Sequence, residues 1–196
     1  MEIIEPERER VEVMSAIWSH RERPARVGEL SSSSDGGLIA RWTAHLAGES
    51  QTAIGEELPA HSPGCAGCGP SNPSGLHLRA TRTTSGVKAV HSFTEAQVGA
   101  PGIAHGGAVA LAFDDLFGFA LYAVGSLAVT RSLTVEYRSP FWLHRSYTFY
   151  AQVTQREGRR LLLHAEAWDA TGQAAGLADA VFVAVGPEHF VREAEN

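Results

Sequence analysis

The segment Gly102-Ile-Ala-His105-Gly106-Gly107-Ala-Val-Ala-Leu-Ala-Phe-Asp114-Asp115 holds the residue types most capable of chemistry. Two glycines opening a helix leave backbone N–H groups uncovered by side chains. They lie at the positive end of the helix macrodipole, where a carbonyl oxygen gaining charge can be held. Asp114 follows eight residues beyond Gly106 in an apolar helical run. Burial there without a partner is costly and pushes a carboxyl pKa upward, which makes the residue a candidate general base or nucleophile. Asp115 points about 100° further around the helix and is the competing acid. The plain structural readings are close helix-end packing for the glycines and a solvent contact for the acid.

Eight helical residues advance about 12 Å, whereas an attacking group and its oxyanion donors must each lie about 3 Å from one reacting carbonyl. Gly106 and Asp114 of one chain therefore cannot serve one site. If both act, the carboxylate comes from a neighbouring subunit, and a twofold dimer supplies two such sites.

The elements that must position these residues follow from periodicity. An apolar helix is expected from about His105 to about Val124, closed by Gly125 as its C′ residue. From Leu76 onward the period is two, as in strands. Leu76 to Thr81 and Val87 to Phe93 read as a hairpin through Ser85-Gly86, and Pro101-Gly102 breaks the chain before the helix. Leu127 to Tyr137, Tyr147 to Val153, Leu161 to Trp168 and Leu177 to Val185 follow as strands. A helix apolar nearly all round must be covered on most of its surface. The expected solution is an α+β layer in which an antiparallel sheet of five to six strands wraps one long central helix. The expected divisions are an N-terminal helical or flexible appendage over 1–62, the main domain over 63–187, and a tail over 188–196. The appendage shows apolar stripes at Val11, Met14, Ile17 and Trp18 and at Ile39, Trp42 and Leu46, joined by a Ser/Gly-rich connection at 31–37. A docking or lid segment is its bland reading.

Composition narrows the function. The 196 residues carry a formal net charge of −6, with 44% hydrophobic and 19% charged residues, which is a globular composition. Surplus acid argues against a counterion-release nucleic-acid binder and against a polybasic membrane-surface protein. The first residues lack the basic and apolar regions of a signal peptide, so the expected location is cytoplasmic. The apolar stretch from Gly106 to Val129 could span a bilayer by length, but Asp114 and Asp115 would each cost about 2.5–3.5 kcal/mol at its centre. It is expected to be a buried helix plus a strand.

Cys65 and Cys68 form a C-x-x-C flanked by His61 and His77. Two thiolates do not complete a tetrahedral metal shell, and no thioredoxin-like pattern surrounds them. A glycine-rich turn without metal or cofactor is the expectation. His91 and His164 fall in alternating runs and are expected to face solvent. Phe113, Leu116, Phe117 and Tyr122 are candidates for an apolar substrate pocket, and Arg79, Arg131 and Arg138 for anion contacts.

The chain resembles the hotdog-fold acyl-CoA thioesterases, in particular their phenylacetate-pathway-like branch. The resemblance covers about Cys65 to Val185. It is carried by Pro101-Gly102-Ile103, by His105-Gly106-Gly107 with Asp114 nine residues after the histidine, by Thr130, by Tyr137 and Pro140, and by the segment Cys65 to Leu76. It implies a hotdog fold and hydrolysis of an acyl-CoA thioester, without metal or tightly held cofactor, in a homodimer often paired into a homotetramer. In that reading the Gly106 N–H polarises the thioester carbonyl beside Gly107, and Asp114 of the partner subunit attacks it or activates a water. Thr130 orients the carboxylate or the water, and His105 acts at the helix start or near the thioester. Phe113, Phe117 and Arg138 are expected to contact substrate. Read from the strand alone, Thr130 shares its face with Ser132 and Thr134, away from Leu133 and Val135, unless a bulge or the strand start turns it. The competing readings are a hydratase or dehydratase on acyl thioesters and a non-catalytic acyl-CoA-binding protein.

Overall fold

The structure, a computed structural model, describes residues 52–190. The helical stripes expected at 11–18 and 39–46 lie outside the described residues, as does the tail beyond residue 190. The elements are β1 (Ala80–Arg82), β2 (Val87–His91), β3 (Val98–Ala100), β4 (Ile103–Ala104), α1 (Gly106–Ala123), β5 (Ala128–Tyr137), β6 (Tyr147–Glu157), β7 (Arg160–Asp169) and β8 (Ala174–Ala184). Short 3-10 turns cover Glu95–Gln97 and Pro187–Phe190.

Helix α1 begins where the sequence places its start. His105 is the N-cap, and its Nδ1 accepts the Gly107 N–H at 2.9 Å, satisfying one of the amides a helix start leaves without partners. Gly125 closes the other end at φ 63°, donating its N–H to Tyr122 O, while Ser126 donates to Leu121 O. This is a Schellman closure, and the positive φ explains glycine as the C′ residue. Between the caps, Val109, Ala112, Phe113, Leu116, Phe117 and Ala120 are buried, as the absence of a polar face requires.

Six strands form one antiparallel sheet in the order β1-β2-β6-β7-β8-β5. Alternate residues of β6, β7 and β8 turn inward, so Phe149, Leu161, Leu163, Ala165 and Phe182 are buried with the helix. Phe149 meets Phe113 of the helix edge-on at 5.3 Å, and Phe182 meets Phe117 at 6.1 Å. Burying each such aromatic side chain contributes about 1.5–3 kcal/mol. The long helix, wrapped by the sheet, bears out the expected α+β architecture, and the apolar 106–123 run is a core element.

Three details differ from the sequence reading. Of the strand expected from Leu76, only Ala80 to Arg82 pairs in the sheet. Leu76 and Leu78 are buried as their alternation requires, but their N–H groups donate to Ala66 O and Gly67 O in the cysteine loop. Secondly, a small ribbon of β3 and β4, turned at Pro101-Gly102 with Gly102 at φ 74°, precedes the helix. Thirdly, packing into the sheet begins upstream of residue 63. Glu57 bridges Thr81, Leu58 donates to Ala80 O, and the Leu58 side chain is 2% exposed.

Candidate active site

Asp114 sits half-buried on α1, and its Oδ1 accepts a hydrogen bond from Thr130 Oγ1 at 2.9 Å. The reach of Thr130 comes from a bulge in β5. Thr130 pairs with Phe182 and Ser132 with Val181, so Arg131 is the extra residue. The bulge reverses the alternation and puts Thr130 on the helix side together with Leu133 and Val135. Burial raises the Asp114 pKa, and the Thr130 hydrogen bond works against that rise. Asp115, the competing acid, is 7% exposed and is held instead by His61 and Cys65.

Gly106 opens α1 at the other end, and its first-turn N–H has no acceptor within the helix. Its carbonyl accepts a 2.7 Å hydrogen bond from Tyr137 Oη, a contact that sequence reasoning did not assign. Gly106 lines a cleft of about 460 Å³ with Ile103, Val109, Tyr137, Arg138 and Phe141. Asp114 lines a separate cavity of about 220 Å³ with His61, Cys65, Leu121, Tyr122 and Phe182. Within one chain the structure therefore does not bring Gly106 and Asp114 together, in keeping with about 12 Å of helix between them.

The remaining candidates divide. His105 caps the helix and so holds the first turn that presents Gly106, while Gly107 spends its own N–H on that cap. Arg138 stands at the rim of the Gly106 cleft with its Nε donating to Glu136 Oε1 at 3.0 Å. Phe113 and Phe117 are 0% exposed and line neither cleft. They are four apart on the helix, and that face turns to the sheet. Of the expected pocket residues Tyr122 does line the Asp114 cavity, and the other apolar lining comes from Ile103, Val109 and Phe141 on one side and Leu121 and Phe182 on the other. Arg79 pairs with Glu57. His164 is partly exposed between Asp179 and Glu166, whereas His91 is not the solvent-facing residue expected. Its Nε2 is buried without a partner, its ring packs edge-on to Phe93, and burial lowers its pKa to about 4.

The cysteine loop holds a group that the sequence did not assemble. His61, Cys65, Cys68 and Asp115 converge, with one donor atom from each lying within 4.8 Å of all the others. His77 stays outside it, exposed and at φ 53°. For His61, burial lowers the pKa but hydrogen bonds to Asp115 and Cys65 win and raise it to about 9. The hydrogen bonds from Cys68 and His61 lower Cys65, while the bond to Cys65 and burial raise Cys68. Asp115 is raised by burial.

Comparison with known proteins agrees with this architecture. Residues 101–175 match the family model described as the thioesterase superfamily. A solved thioesterase superfamily protein is similar with a TM-score of 0.60 at 21% identity, covering 93% of this chain and 81% of its own. The PaaI protein of E. coli, from the phenylacetic acid degradation operon, is similar with a TM-score of 0.53 at 19% identity, covering 57% of this chain and 81% of its own. A hypothetical thioesterase from Streptococcus pneumoniae, solved with coenzyme A, has a TM-score of 0.53 at 16% identity and covers 56% of this chain and 86% of its own. No curated protein matches the chain. The likeness to these solved structures shows a hotdog fold, and within it residues 101–175 match the thioesterase superfamily model.

Proposed function

We propose that the protein hydrolyses an acyl-CoA thioester to the free acid and CoA at a site shared between two chains. The single observation that carries this reading is the Asp114–Thr130 pair, an acid in an apolar helix held at 2.9 Å by a bulged strand, one helical run away from the open amide of Gly106. The similar Streptococcus pneumoniae structure holds coenzyme A, which suits the same class of ligand here.

In this reading the Gly106 N–H holds the thioester carbonyl oxygen as charge develops on it. Asp114 of the partner subunit acts on the carbonyl carbon, directly as a nucleophile or by taking a proton from an attacking water. Collapse of the tetrahedral adduct breaks the C–S bond, and CoA leaves as the thiol with the proton taken from the attacking water or, on the direct route, one from solvent. On the direct route a water then hydrolyses the mixed anhydride, releasing the free acid and restoring the Asp114 carboxylate. Arg138 at the cleft rim is suited to a CoA phosphate.

Strand β5 supports the shared site. It ends the sheet order, so the outer edge of its ten residues pairs with no other strand among the described residues. Thr130 at one end touches Asp114 on α1, and Tyr137 at the other end touches Gly106. Antiparallel pairing of two copies of β5 about a twofold axis between Leu133 and Thr134 sets Thr130 opposite Tyr137 of the partner subunit. That pairing brings each Asp114 towards the other chain's Gly106 and makes an isologous dimer.

The test is a panel of short, long, branched and aryl acyl-CoAs assayed for thiol release with the wild-type chain and Asp114→Asn. Thiol release that disappears in the variant supports the reading. An Asp114→Asn protein with full activity overturns the assignment. Loss of enoyl absorbance without thiol release would indicate hydration instead.

A further inference from the structure

We propose that His61 Nδ1, Cys65 Sγ, Cys68 Sγ and Asp115 Oδ1 form a tetrahedral site for a zinc-class divalent cation that clamps the 61–68 loop onto helix α1. The donor set is borderline-soft, two sulfurs with one imidazole and one carboxylate, which suits zinc and not magnesium or calcium. The separations are 2.9 Å from His61 Nδ1 to Asp115 Oδ1, 3.2 Å from Cys65 Sγ to Asp115 Oδ1, and 3.1 Å from Cys68 Sγ to His61 Nδ1. A tetrahedron with metal bonds of about 2.0–2.3 Å has edges of about 3.3–3.8 Å. Side-chain shifts of about half an ångström therefore open the cluster around a cation.

The loop is built to present sulfur. Backbone amides of Gly67 and Cys68 point at the Cys65 sulfur, and the His61 N–H donates to Cys68 Sγ at 3.2 Å. Amides aimed at both sulfurs are the outer-shell support that metal-bound thiolates need. Glycine is required for the wrap, because a Cβ at Gly67 would overlap Asp115 Cγ and one at Gly69 would overlap the Cys65 backbone. The loop and the helix thus close on one point.

Charge balance also asks for a cation. No lysine or arginine lines the cavity into which His61, Cys65 and Asp115 face. The carboxylates of Asp114 and Asp115 and the Cys65 thiol therefore have one imidazole, that of His61, as the cationic group in this lining. Asp115 Oδ2 is buried with no hydrogen-bond partner, as is His61 Nε2. Buried polar atoms of this kind are normally satisfied, and a metal bound beside Asp115 would compensate the first of them. Four protein ligands leave no open position for water, so the site is structural. It fixes Asp115 and, through the helix, the turn that carries Asp114.

The proposal stands apart from the thioesterase reading, because metal content is measured without any substrate. Wild-type protein purified without chelator and analysed by elemental mass spectrometry is expected to carry about one zinc per chain. Cys68→Ser and Asp115→Asn are each expected to lower that at least tenfold. Should either variant fail to fold, the wild-type chain reconstituted with Co²⁺ answers alone: tetrahedral d–d bands and a thiolate charge-transfer band are expected. A wild-type protein that retains no zinc after incubation with it under reducing conditions, while both thiols titrate freely, overturns the site. So does a native Cys65–Cys68 disulfide.

Discussion

Thr130 Oγ1 donates to Asp114 Oδ1 at 2.9 Å from a strand position that an unbroken pleat would turn away from the helix. The bulge at Arg131 makes the contact possible and is therefore part of the candidate site's architecture. Thr130→Val keeps the shape and removes the donor. It is expected to lower kcat about tenfold and leave Tm within a few degrees, because one neutral-to-charged hydrogen bond is worth about 1.5–3 kcal/mol at most. Steady-state kinetics across an acyl-CoA panel checks this, and an unchanged kcat would remove Thr130 from the site.

Asp114→Asn is expected to reduce thiol release by about 10²–10⁴-fold, the range for loss of a positioned base. Its effect on stability has the opposite sign. Burial raises the Asp114 pKa in the folded protein, so the folded state holds its proton more tightly than the unfolded chain. Stability from this group is full below the ordinary carboxylate value of about 3.9 and is lost as pH climbs through the raised folded value. At pH 7 the variant, which no longer buries a charge, is expected to melt above wild type, and the gap should close as pH falls through the carboxylate range. Thermal melts at a series of pH values read this directly; a variant less stable than wild type at pH 7 would contradict it.

Helix α1, its glycine closure and the sheet strands are legible because their signals are local: an apolar run bounded by His105 and Gly125, and alternation between turn residues. Thr130 was legible only as a residue type, since its direction depends on the register of β5 against β8. The cysteine cluster was half legible. Cys65 and Cys68 lie side by side in sequence, but Asp115 reaches them across 50 residues and shows no local pattern. Leu76 and Leu78 alternate correctly yet pair with the loop, because backbone partners, unlike burial, are set by tertiary packing. Phe113 and Phe117 illustrate the converse, since hydrophobicity alone does not separate a core face from a binding face.

His105 acts on Gly106 through the cap. His105→Ala removes the acceptor for the Gly107 N–H and is expected to cost about 0.5–2 kcal/mol, with His105→Asn recovering most of it. If the cap also steadies the Gly106 amide, His105→Ala lowers kcat more than it changes KM, and His105→Asn restores kcat. A melt unchanged by His105→Ala would show that the cap carries no stability.

Leu58 tests where the domain begins. Its side chain is 2% exposed in the shared core, so Leu58→Ala is expected to destabilise by about 2–5 kcal/mol. Denaturant unfolding gives the number. A cost under about 0.5 kcal/mol, ordinary for a surface position, would place residues 57–62 outside the cooperative unit.

Mixing two inactive proteins is the sharpest test of the proposed site between two chains. Gly106→Pro deletes the amide donor at a helix position that tolerates proline, after a residue already extended at φ −62° and ψ 133°; the new Cβ lies 3.3 Å from Tyr137 Oη. Refolded together in equal amounts, Gly106→Pro and Asp114→Asn chains form mixed dimers in half the population, each with one site that has both its amide and its acid. Recovery of about a quarter of wild-type activity from the mixture is expected. Two variants that are each inactive and stay inactive when mixed, with mixed dimers verified, would contradict it.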